Sequence, residues 1–114
     1  MLFDLQVREQ AGWTVLAVVG ELDLAAAPKV RQAVITAVGG PSGDVVLDLS
    51  AVDFIDSSGL GIVIGALKRV RNRGGRLRVV AAEPQVVKVF ELTELDRILP
   101  LAASVEEAVG PTDG

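Results

Sequence analysis

Between residues 44 and 49 the chain reads Asp-Val-Val-Leu-Asp-Leu, an apolar run with acids beside it and no polar–apolar alternation. A strand of this kind is covered on both faces, as in sheets that carry helices on either side. It therefore belongs near the centre of the sheet, and the rest of the chain has to supply its neighbours and its cover.

The neighbours are readable from local pattern. Phe3 to Arg8 and Trp13 to Glu21 are rich in Val, Leu and aromatic residues, with Glu9-Gln-Ala-Gly12 between them, which predicts two paired strands. Ala25 to Val38 carries Val30, Val34, Ile35 and Val38 at three- and four-residue spacing; Pro28 suits a first helical turn and Gly39-Gly40-Pro41 a stop. After Ser50 to Ile55, Asp56-Ser-Ser-Gly59 leads into a second helix, Leu60 to Arg73, which Gly74-Gly75 ends. Arg76 to Ala82 predicts a strand, Pro84 to Glu91 a shorter helix and Ile98 to Leu101 a brief edge strand. Ser104-Val-Glu-Glu107 matches a capping box and opens a last helix, Val105 to Val109. The order β-β-α-β-α-β-α-β-α predicts one α/β domain over residues 1–110, an open mixed sheet of four or five strands covered by about four helices, with 111–114 as a flexible tail.

Composition removes whole classes of function. With no cysteine and no histidine among its 114 residues, the chain lacks thiolate and imidazole metal ligands and the commonest general base. Neither a metal nor any other cofactor is expected. The longest apolar-plus-glycine stretch, Gly59 to Leu67, is far below the ~20 residues of a membrane-spanning helix, and no signal peptide opens the sequence; a cytoplasmic protein without membrane contact is expected. The net charge is −4, yet residues 61–82 carry six bases and no acid. Lys68, Arg69, Arg71, Arg73, Arg76 and Arg78 in an otherwise acidic chain make a weak case for nucleic acid. The first four are better read as complementing the negative end of the second helix and solvating its outer face.

The polar cluster Asp56-Ser57-Ser58-Gly59 stands between an apolar strand and a very apolar helix. As a helix cap it needs no function, because Asp and Ser oxygens accept bonds from the free amides of a first turn. The glycines that follow ask for more. Gly59, Gly61 and Gly65 each cost a helix roughly 1 kcal/mol relative to alanine. Two explanations stand open: they let the helix start present Ser57 and its amides to a large partner, or they allow Gly61 and Gly65 to pack closely on the sheet. Nucleotide-binding loops do not fit, since no Gly-Lys-Ser/Thr follows and Gly59-Leu-Gly61-Ile-Val-Ile64-Gly65 misses the dinucleotide spacing by one position. A serine hydrolase would need lysine as base, and Lys68 lies about 16 Å from Ser57 along the helix axis. Lys29 stays open but has no oxyanion signature beside it. The chain is not expected to be an enzyme.

Gly20-Glu-Leu-Asp23, Ala27-Pro28 and the run from Val45 through Leu49-Ser50 to Phe54-Ile-Asp-Ser-Ser-Gly-Leu-Gly61 resemble, in order and across nearly the whole chain, the anti-sigma factor antagonists of the STAS domain family. The likeness extends to high-GC Gram-positive members that act in stress and development. It implies a partner-switching cycle: the unphosphorylated antagonist binds an anti-sigma factor that is also a serine/threonine kinase, in an ATP- or ADP-bound form, and so releases a sigma factor. Phosphorylation ends the binding and a serine phosphatase resets it. By the motif, the phosphorylated residue is Ser57, with Asp23, Asp56, Ser58 and Gly59 forming the partner-binding surface around it. Asp23 has a plainer reading as the cap of the first helix, and Leu60 and Ile62 read as core. The rival function is a STAS scaffold, or a module that binds a small ligand or nucleotide.

Overall fold

A computed structural model describes residues 3–110. β1 (Phe3–Gln10) and β2 (Trp13–Leu22) form an antiparallel hairpin that turns at Ala11-Gly12, both in the left-handed region as a two-residue hairpin turn requires. α1 (Ala27–Val38) then leads to β3 (Val45–Ile55), α2 (Ser57–Asn72) to β4 (Leu77–Val80), α3 (Pro84–Leu92) to β5 (Leu101–Ala102), and α4 (Val105–Val109) follows. The strands lie in the order β1-β2-β3-β4-β5, parallel from β2 onward, so β3 is the middle strand, as its apolar run predicts.

This order decides where the helices go. Parallel crossovers are right-handed, and when each one advances the sheet in the same direction the connecting helices all fall on one face. α1, α2 and α3 accordingly bury Val30, Val34, Val63, Val70, Val86 and Phe90 in a single core with Leu16, Val18, Leu47 and Leu49. The opposite face of the sheet is covered by α4, where Val105 and Ala108 meet Trp13, Val15, Val46 and Val80. Residues 45–49 thus send Val45, Leu47 and Leu49 to one side and Val46 to the other. That is why the segment tolerates no alternation.

Several boundaries differ from the sequence expectation. β3 does not stop at Leu49 but continues to Ile55, paired beyond Asp48 with β2 alone. The pairing shifts register between Ala17 and Val19 and again between Gly20 and Glu21, so buried and exposed residues lose their period there. Gly20, at φ 100°, takes a conformation that side-chain-bearing residues avoid. α2 starts at Ser57 and not at Leu60, and a 3₁₀ turn, Leu24–Ala26, precedes α1. The short edge strand is Leu101–Ala102 and not Ile98–Leu101, because the 3₁₀ turn Leu95–Arg97 engages the Ile98 and Leu99 amides through the Leu95 carbonyl and pairing with β4 begins only at Leu101. The proposed tail at 111–114 lies outside the described residues.

The basic segment divides in two. Lys68, Arg69, Arg71 and Arg73 are exposed on α2 and its C-terminal cap, as expected. Arg76 and Arg78 instead place their guanidinium carbons 4.7 and 5.4 Å from the ring centroid of buried Trp13. Arg76 also donates to Asp44 at 2.8 Å while its amide donates to the same carboxylate at 2.9 Å, and Arg78 donates to the Ala108 carbonyl at 3.0 Å. These bonds hold Asp44 below the ordinary aspartate value of 3.8, chiefly through the side-chain bond from Arg76. A depressed carboxylate stabilises the fold above its unfolded pKa and loses that contribution as pH falls through the folded one. With Arg76 largely exposed, Asp44→Asn should cost only about 1 kcal/mol at pH 7. In urea titrations, the gap between wild type and this variant should narrow steadily from pH 5 to pH 2.

Candidate functional site

The parallel pairing of β2 and β3 ends at Leu22 opposite Ile55. The residue that follows each strand is an aspartate, so Asp23 and Asp56 leave the sheet side by side. Each caps the turn that follows it: Asp23 Oδ1 accepts from the Ala25 amide at 3.1 Å, and Asp56 Oδ1 from the Gly59 amide at 2.9 Å. The cap expected at Asp56 is present, whereas Asp23 caps the 3₁₀ turn Leu24–Ala26 and not α1, whose N-cap is Ala26 with no side-chain bond. The two carboxylates stand at the carboxyl ends of adjacent parallel strands, where open α/β sheets present their sites.

Ser57 is the first residue of α2 and is exposed; Ser58 is half-buried and Gly59 buried. Gly59 has a strict packing reason. A Cβ there would run into the Leu22 carbonyl oxygen and lie 2.7 Å from Ile55 Cγ1, so only glycine lets α2 begin this close to the strand ends. The same contact brings the Ser57 turn against the residue that precedes Asp23. All five residues singled out in the sequence, Asp23, Asp56, Ser57, Ser58 and Gly59, are thus gathered at one corner of the fold.

Gly61 and Gly65 behave otherwise. A Cβ at either position would meet nothing within 4 Å, which overturns close packing on the sheet as their explanation. Both open onto a cleft between α1 and α2 that Ser58 also lines. Leu60 and Ile62 pack partly buried against the core, as expected. Two apolar residues beside the site escaped the sequence reading: Leu24, 73% exposed, follows Asp23, and Phe54, 47% exposed, lies two residues before Asp56. The signal for Leu24 was its place directly after a capping aspartate, where the chain turns outward. For Phe54 it was an aromatic residue between Asp53 and Ile55 on a strand with broken alternation.

Among the described residues no three acidic side chains converge to hold a cation, and no helix is long and apolar enough to cross a membrane. The corner offers a free hydroxyl at a helix start, two capping carboxylates and apolar residues on either side. That arrangement suits recognition by a protein surface and modification at the hydroxyl. Gly59→Ala should lose roughly 1–3 kcal/mol of stability, since the collision is with backbone that cannot rotate away; urea unfolding of the variant measures it.

Known proteins share both the sequence and this architecture. The sequence profile of the STAS domain matches residues 4–108. An anti-sigma-B factor antagonist of Bacillus subtilis is 27% identical over 109 residues, covering 96% of this chain and 99% of that one. The crystal structure of an anti-sigma factor antagonist from Mycobacterium paratuberculosis superposes with a TM-score of 0.84 at 32% identity, over 95% of this chain and 92% of its own. The Bacillus cell fate determinant SpoIIAA in its phosphorylated form superposes with a TM-score of 0.67 at 27% identity, over 92% and 95% of the two chains. With a five-stranded mixed sheet and four helices among the described residues and a family match over residues 4–108, this chain belongs to the STAS domain family, among relatives that are anti-sigma factor antagonists.

Proposed function

We propose that this chain is a cytoplasmic anti-sigma factor antagonist whose unphosphorylated form binds an anti-sigma factor serine kinase, frees a sigma factor, and is switched off by phosphorylation of Ser57. The observation that carries this reading is the exposed Ser57 hydroxyl at the start of α2, beside the paired capping residues Asp23 and Asp56. A serine phosphatase would return the protein to its binding form. The chain itself supplies the substrate hydroxyl and the docking surface, and no catalytic step.

The physics of the switch follows from position. A phosphate on Ser57 would add about −1.5 to −2 charge at pH 7 and three acceptor oxygens. The first turn of a helix tolerates such a group, because its free amides and its dipole both favour an anion. The fold can therefore persist, and the phosphorylated SpoIIAA structure, which shares it, supports that. At the surface the effect is opposite. Asp23 and Asp56 already place negative charge there, so the phosphate would make this corner strongly anionic and repel an acidic or apolar partner face.

Intact-mass spectrometry after incubation with candidate anti-sigma kinases from the same genome and Mg-ATP tests the reading. One added phosphoryl group on wild type and none on Ser57→Ala is the expected result. In ADP, Ser57→Ala should bind the same kinase as wild type does, and Ser57→Asp at least ten-fold more weakly. No phosphorylation and no complex with any of the kinases, or Ser57→Asp bound as tightly as wild type, would refute it and favour the scaffold or ligand-binding alternatives.

A further inference from the structure

The cleft between α1 and α2 has a volume of about 310 Å³ and begins at Ser58, one residue from the phosphorylation site proposed above. Its walls are apolar: Leu24 and Val30 on one side, Ile62 and Ala66 on the other. Gly61 and Gly65 keep it open, and since a Cβ at either would meet nothing, no packing inside the chain accounts for glycine at these helical positions. Arg31 from α1 and Arg69 from α2 also line it, both exposed and neither in an ion pair among the described residues. An apolar depression rimmed by charge, continuous with a recognition site, is where a partner inserts an anchor side chain.

We propose that this cleft receives an apolar side chain of the anti-sigma factor, carried on a segment whose carboxylates pair with Arg31 and Arg69. The inference rests on the reading of the chain as an antagonist, and it divides the docking surface into two zones of opposite sign. The corner with Asp23, Asp56 and Ser57 is the switched zone, where phosphate changes the charge. The cleft with its two guanidiniums is an unswitched zone that selects the partner by shape and by acidic flanks. Leu24 joins the two, since it follows Asp23 in the chain and forms the mouth of the cleft. Choice among several kinases would then lie in Arg31, Gly61, Gly65 and Arg69, apart from the serine that is switched.

The test separates stability from binding. Gly61→Ala combined with Gly65→Leu replaces poor helix formers by good ones where there is room, so the thermal midpoint should rise. With the kinase that phosphorylates wild type, in ADP, the same variant should bind at least ten-fold more weakly by calorimetry. Arg31→Glu with Arg69→Glu should weaken binding by a similar factor, and the loss should shrink in high salt. Cleft variants that bind like wild type, while Ser57→Asp does not, would overturn the cleft and leave the switch intact. Wild type that binds no kinase would overturn both. Sedimentation showing that the cleft variants abolish a self-association of wild type, with kinase binding unchanged, would assign the cleft to a second copy and overturn the proposal.

Discussion

The register of β2 against β3 sets everything that follows at the site. Because Leu22 pairs with Ile55, the residue that follows each strand is an aspartate, and two capping carboxylates emerge together at the carboxyl ends of β2 and β3. Gly59 then allows α2 to start against the Leu22 carbonyl, which fixes the Ser57 turn to the same corner. A slip of one residue in that pairing would send every side chain of one strand to the other face. The buried positions Leu16, Val18 and Leu22 on β2, with Leu47, Leu49 and Ile55 on β3, oppose such a slip.

Beyond Asp48, β3 is paired with β2 alone, so the site stands on a part of the sheet that β4 does not reach. The fold supports it from the other side as well, where the Gln85 side chain on α3 donates to the Asp53 carbonyl. The corner proposed for recognition is thus built on the ends of strands and the start of a helix. A charge change at Ser57 can alter what the corner attracts without requiring the strands or helices to move.

Much of this was legible because it is local. The unalternating Asp44 to Leu49 run marks a strand covered twice, and the spacing of Val30, Val34 and Val38 marks a helix. What escaped depends on contacts distant in sequence. Ser50, Ala51, Asp53 and Phe54 hide the second half of β3, since their exposure follows from register shifts against β2 and from the missing β4 neighbour. Arg76 and Arg78 looked like part of a basic run, yet their partners are Trp13, Asp44 and Ala108, at positions no local window joins. The three α2 glycines, alike in the sequence, separate only when their surroundings are seen: Gly59 is forced by the strand ends, and Gly61 and Gly65 face open space.

The central claim is that phosphate on Ser57 acts through charge at a surface and not through the fold. Calorimetric titration of the purified Ser57-phosphorylated protein and the unmodified protein into the cognate kinase in ADP, with thermal unfolding of both forms in the same buffer, tests it most directly. The expected result is at least a ten-fold weaker complex for the phosphorylated form and unfolding midpoints within a few degrees of each other. Equal affinities, or a phosphorylated form that has lost its cooperative unfolding transition, would contradict it.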